Sequence, residues 1–150
     1  MHLFEFFSLN SPKFYLTHKV GQKLTANGQQ PINIMRDFRK LEIWHLGMEL
    51  VKLTYQLVKK LPSEEQFGLS FQMRKAAISM PSNIAEGCSR TSNKDASRFF
   101  EISIGSAFEL ETQILAGFNI GHFSKGDTDF ILPLLQTFQR KTNSYRNTMN

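Results

Sequence analysis

From Asp37 onward, apolar positions recur every three or four residues. Leu41, Trp44, Met48, Val51, Tyr55 and Val58 share one helical face. They predict a helix capped by Asp37 and stopped at Leu61–Pro62, because a residue preceding proline is pushed out of the α region. A second helix is predicted from Ser63–Glu64–Glu65, whose carboxylates suit its positive end, to Gly87 as its C-terminal stop. Phe67 or Leu69, Phe71, Arg74, Ile78 and Ile84 supply its spacing. A third helix is predicted over Asn93–Asn119, with Thr91 or Ser92 as its cap, Asp95 in its first turn and Gly121 beyond its end. A fourth begins between Ser124 and Asp129 and carries Ile131, Leu134 or Leu135, Phe138 and Tyr145. Pro133 is read as lying early in that helix, where a missing donor costs least. Nothing alternates as a strand would. The pattern therefore predicts an all-α chain: an antiparallel, up-down-up-down four-helix bundle over residues 37–150.

Two features do not fit a simple bundle. Residues 1–36 have no sustained period and are broken by Ser11–Pro12, Gly21, Asn27–Gly28 and Pro31. They read as a poorly ordered N-terminal extension, with Met35 as an alternative start of translation. The third helix, conversely, is apolar on more than one stripe: Phe99, Phe100, Ile102, Ile104, Ala107, Phe108, Leu110, Ile114, Leu115 and Phe118. A helix serving one core shows a single stripe. Two stripes predict burial on two sides, either centrally in the bundle or also across a subunit interface.

The second helix contains SMPSNIAEG, Ser79 to Gly87, with Pro81 in its interior. Proline there removes the donor to Ala77 and crowds the preceding turn. Ala76 and Ala77 reduce that crowding, and Ser79, Ser82 and Asn83 offer side-chain groups to replace the lost bond. On one helical stripe Ser79, Ser82 or Asn83, Glu86 and Arg90 line up. The third helix carries a matching line of Arg98, Glu101, Gly105, Glu109 and Thr112. Facing lines predict a close approach through Gly105 and Ser106, with Arg74, Arg90 or Arg98 joined to Glu86 or Glu109. Pro81, Asn83, Glu86, Gly87, Gly105, Ser106 and Glu109 are accordingly read as architecture.

Composition removes several chemistries. The one cysteine, Cys88, excludes an internal disulfide and a cysteine-based zinc cluster, and it is read as a packing residue. A di-iron bundle needs Glu-x-x-His motifs on two helices; of His2, His18, His45 and His122 only His45 has a glutamate, Glu42, three residues before it, so the pair of motifs is lacking. Glu86 and Glu109 alone do not define an acid–base pair. No phosphate-cradling glycine loop occurs. The chain reads as a non-enzyme without cofactor or metal. No apolar run spans a bilayer and no secretory signal opens the chain, so a cytoplasmic protein is expected.

Charge points the other way, toward a partner. The formal net charge is +5. Lys13, Lys19, Lys23 and Arg36 against Glu5 place much of the excess before the bundle. Within the bundle, basic residues cluster at Arg39–Lys40, Lys59–Lys60, Arg74–Lys75, Arg90 with Lys94 and Arg98, and Arg140–Lys141 with Arg146. In a ring of copies each patch repeats, and weak phosphate contacts add. These residues are the candidate contacts to RNA or DNA; a protein-interaction scaffold with no nucleic-acid role is the alternative.

Three segments carry a family resemblance: FRKLEIWHLGMEL, QMRKAAISMPSNIAEGCSR and FFEISIGSAFELETQIL. Over about Asp37–Tyr145 the chain resembles the four-helix-bundle proteins named for 23S rRNA intervening sequences. The resemblance implies a homopentamer with a central channel. It also brings in a similar relative, the accessory variability protein of diversity-generating retroelements, a basic pentameric bundle that binds nucleic acid and a reverse transcriptase. The positions matching the family's pattern are Arg74, Pro81, Asn83, Glu86, Gly87, Gly105, Ser106, Glu109 and Leu110. Met80 departs from it, standing where isoleucine is usual.

Overall fold

A computed structural model describes residues 36–149, so the expectations placed on residues 1–35, the Met35 start among them, lie outside the described residues. Four α-helices form the structure: α1 Glu42–Leu57, α2 Leu69–Ser89, α3 Asn93–Asn119 and α4 Lys125–Asn147. Each packs on two neighbours, α1 on α2 and α4, and α3 on α2 and α4, with α2 and α3 the most extensive pairing. This is the expected four-helix bundle, and no strand occurs among the described residues.

Helix boundaries follow local chemistry. Ser92 caps α3, its hydroxyl accepting from the Asp95 amide. Ser124 and Asp127 form a reciprocal capping box at α4. Gly121 takes φ +84° in the turn after α3, a conformation that costs a residue with a Cβ. Two helix starts, and the place of Pro133, differ from expectation. Asp37 caps a separate 3-10 turn, Phe38–Lys40, through the Arg39 amide at 3.1 Å, and α1 starts after a break at Leu41. Ser63–Gln66 is likewise a separate 3-10 turn. From it Glu65 reaches forward to accept from the Leu69 amide at 2.8 Å, covering the start of α2. Pro133 lies two turns inside α4, since the helix already begins at Lys125; it is tolerated there on the exposed side.

The buried stripes correct the expected ones. In α1 the core face is Ile43, Gly47, Leu50, Thr54 and Leu57, one position before the run of bulkier residues from Trp44 to Val58. Met48 and Tyr55 are exposed; Trp44 and Val51 lie at the flank. In α2 only Ile84 of the expected apolar set is fully inside. Ser70, Met73, Ala76, Ala77, Met80, Pro81, Gly87 and Cys88 accompany it, while Phe71 and Ile78 face out.

The reason is backbone proximity. A Cβ at Gly47 would lie 3.3 Å from the Pro81 ring and 3.2 Å from Phe138, so α1 approaches α2 and α4 at a point where only glycine fits without a shift. Thr54 is accommodated inside because its hydroxyl donates to the Leu50 carbonyl at 2.7 Å.

Pro81 is thus a packing surface, buried against Gly47. Its lost bond is surrounded by replacements, although these serve the carbonyls that follow Ala77. Ser82 donates to Ile78 O at 2.8 Å, Asn83 to Ser79 O at 2.8 Å, and Ser103 of α3 to Met80 O at 2.8 Å. Ser79 and Ser106 share a hydrogen bond at 2.8 Å across the same seam, and Asn83 also donates to the Ser79 hydroxyl at 2.9 Å.

Two glycine expectations exchange places. Gly87 is not a helix stop but a contact inside the last turn of α2: a Cβ there would lie 2.9 Å from Phe100 and 3.2 Å from the Ala96 carbonyl. Gly105 is exposed, with nothing within 4 Å of such a Cβ, and makes no close approach to α2. Gly87→Ala should therefore destabilise by about 1–3 kcal/mol through overpacking. Gly105→Ala should be neutral, or stabilising by up to about 1 kcal/mol, from helix propensity. Denaturant unfolding of the two variants checks both.

Candidate nucleic-acid interface

Antiparallel packing sorts the charges by end. The starts of α1 and α3 and the ends of α2 and α4 lie together, as cross-links at that end show. Arg36 donates to the Asn93 side chain at 2.5 Å, Lys141 pairs with Glu42, Arg146 with Glu101 at 3.4 Å, and Phe100 packs on Tyr145 at 5.2 Å.

This end gathers Arg36, Arg39, Lys40, Arg90, Lys94, Arg98, Arg140, Lys141 and Arg146 against Asp37, Glu42, Glu86, Asp95 and Glu101. The opposite end holds Lys59, Lys60, Arg74, Lys75 and Lys125 against Glu64, Glu65, Glu109, Asp127 and Asp129, while Glu111, accepting from Gln136 at 3.2 Å and Gln139 at 2.6 Å, stands between the two ends. Glu49 and Lys52 pair with each other between the two. One end is strongly cationic and the other close to neutral. The candidate bases, scattered in sequence, separate into seven at the cationic end and four at the other.

Occupancy divides them further. Arg39 lies 3.5 Å from Asp37, Arg90 pairs with Glu86 and Lys141 with Glu42. Arg140 donates to Thr137 at 3.1 Å. Arg74 joins no glutamate; it donates to the Ser70 hydroxyl at 2.8 Å and the Gln66 carbonyl at 3.3 Å, holding the start of α2. Lys60 pairs with Asp127 at 2.5 Å, beside the α4 cap. Lys40, Lys59, Lys75, Lys94 and Arg98 pair with no carboxylate among the described residues. Of these, Lys40, Lys94 and Arg98 stand at the cationic end. Arg90 meets Glu86, but as an i,i+4 pair at the end of α2 rather than across helices, and Glu109 is exposed and pairs with none of Arg74, Arg90 and Arg98.

A shallow apolar trough of about 420 Å³ crosses the same end, between Leu41 and Ile43 of the α1 start and Ser144, Tyr145 and Thr148 of the α4 end, with Arg140 and Lys141 on its rim.

Aromatic rings interleave with these cations, a feature the sequence reading did not single out. The Arg39 guanidinium lies 4.5 Å from the centre of the Phe38 ring, and Phe38 packs on Trp44 at 5.2 Å. His45 holds the turn, its Nε2 donating to the Arg39 carbonyl at 2.7 Å. Arg90 lies 4.5 Å over Phe99 in the same way. The adjacency of Phe38 and Arg39 was the available signal; Arg90 and Phe99 meet only through the turn between α2 and α3.

Cys88 is buried and its thiol is pushed up to about 11, chiefly by desolvation, with Arg36 opposing. It stays protonated and packs as a small apolar group. Burial likewise raises the Tyr145 hydroxyl. No cluster of metal-ligating side chains occurs among the described residues, and no described helix is long and apolar enough to cross a membrane.

Lys60 holds Asp127 well below the usual carboxylate range, at about 2, with help from Ser124. The folded state therefore gains from this carboxylate above its unfolded value near 3.8, and loses that gain as pH falls toward 2. Lys60→Met should make stability fall less steeply between about pH 4 and 2, as measured by thermal unfolding across that range.

The model for the 23S rRNA-intervening sequence protein matches residues 39–144. The match spans α1 to α4 nearly entire, and the chain belongs to this family. No curated protein matches it.

Proposed function

We propose that this member of the 23S rRNA-intervening sequence protein family is a non-catalytic accessory protein that associates with RNA through the phosphate backbone, using the cationic end of its bundle. The observation that carries the reading is the gathering of nine bases against five carboxylates at that end, where Lys40, Lys94 and Arg98 remain free of carboxylate partners among the described residues. Phosphate contacts of this kind release condensed counterions and need no particular base sequence.

Self-association completes the reading. Beyond the buried faces, Phe71 and Ile78 of α2 and the second apolar stripe of α3 face outward. Phe108 is 54% exposed, Ile120 61% and Phe67 85%, alongside Phe71, Ile78, Ile102 and Leu115. Leaving so much large apolar surface in water is unfavourable for a lone chain. Copies packed through it would repeat the cationic end around an axis, turning a weak contact into a multivalent one.

The scaffold alternative draws its support from Glu86 and Glu42, which already cover Arg90 and Lys141. The two readings part in a salt titration. RNA affinity should fall by at least tenfold between low and moderate salt, as several phosphate contacts require. Charge reversal at Lys94 and Arg98 should weaken binding by roughly tenfold, and the same reversal at Lys59 and Lys75 should change it little. Absence of RNA binding at low salt, with self-association intact by light scattering, would favour the scaffold.

A further inference from the structure

The two cation-over-ring pairs share one end of the bundle, and they do different chemistry from the isolated lysines there. A lysine is a point charge that meets any phosphate equally. A guanidinium held over an aromatic ring is a flat, charged plate with little orientational freedom left to lose. Arg39 lies 4.5 Å over Phe38, which is backed by Trp44, and its turn is pinned by His45. Arg90 lies 4.5 Å over Phe99. Their carboxylate partners, Asp37 and Glu86, engage terminal guanidinium nitrogens. A carboxylate met at a terminal nitrogen does not require the guanidinium face turned away from the ring. Arg39 is also widely open, with 71% of its side chain exposed.

Resting on the reading above, we propose that these two arginine–phenylalanine plates are base-stacking platforms, so that the cationic end selects unpaired over duplex RNA. In a duplex each base face is covered by its neighbour, and only phosphates and groove edges reach the protein. An unpaired strand offers free base faces, which stack on aromatic rings and guanidinium planes whatever their identity. Lys40, beside one plate, and Lys94, beside the other in the α2–α3 turn region, supply phosphate contacts on the same strand. The arrangement discriminates strandedness without reading sequence.

The test uses the full chain with oligouridylate, a strand with little stacking of its own, and an RNA duplex of equal phosphate count, at one fixed salt concentration. Oligouridylate should bind about tenfold tighter than the duplex, the scale of one or two stacked bases. It should also quench the fluorescence of Trp44, the single tryptophan, saturably. Replacing Arg39→Lys and Arg90→Lys together keeps the charge and removes the plates. This double variant should lose the single-strand preference, its affinity for oligouridylate falling about tenfold to the level of the duplex; an unaltered circular dichroism melt shows that it folds. Equal affinity of the native chain for both RNAs, or a preference that survives in the lysine variant, overturns the stacking proposal and leaves the phosphate reading standing. Binding to neither RNA overturns both.

Discussion

The pairing of α2 with α3 through small side chains governs the rest of this structure. Backbones come close only where little projects between them, and here Ser79, Ser103, Ser106, Ala77, Ala107 and Gly87 line or adjoin the seam. Serine suits such a place because its hydroxyl can return to a carbonyl or meet another hydroxyl, and the Ser103–Met80 and Ser79–Ser106 bonds do both. Pro81 extends the same logic to a third helix. Its ring fills the space over Gly47, so the residue that removes a helix bond supplies a surface to α1.

The inside of α2 combines small residues with Met73, Met80 and Ile84, and Phe71 and Ile78 stand exposed on its other side. The connection between the paired helices is short. Arg90 leaves α2 with its guanidinium over Phe99 of α3, and Ser92 caps α3 after only a brief turn. Lys94 and Arg98 are thereby placed beside Arg90, and antiparallel closure by α1 and α4 adds Arg39, Lys40, Arg140 and Lys141.

Helix number, order and most ends were legible in the sequence because caps and breakers act locally. Ser92, Ser124, Pro62 and Gly121 each perform at their own positions what their chemistry allows. The inward faces were less legible. Periodicity weighs large apolar residues, and the true stripes of α1 and α2 run through Gly47, Thr54, Ser70, Ala77 and Gly87, which carry little hydrophobic weight. Gly105 and Gly87 were exchanged for the same reason: a glycine's role depends on what stands opposite it, which no local pattern records. The basic residues were visible individually, but their division between two ends required the topology. The plates were hidden still more deeply, since Arg90 and Phe99 belong to different helices.

On the proposed function, one end of the bundle, and not its whole surface, meets RNA. Lysine acetylation footprinting of the full chain, with and without oligouridylate at low salt, tests this directly. RNA should protect Lys40, Lys94 and Lys141 while Lys59, Lys75 and Lys125 react as in the free protein. Protection spread evenly over both groups, or confined to the second, would contradict it.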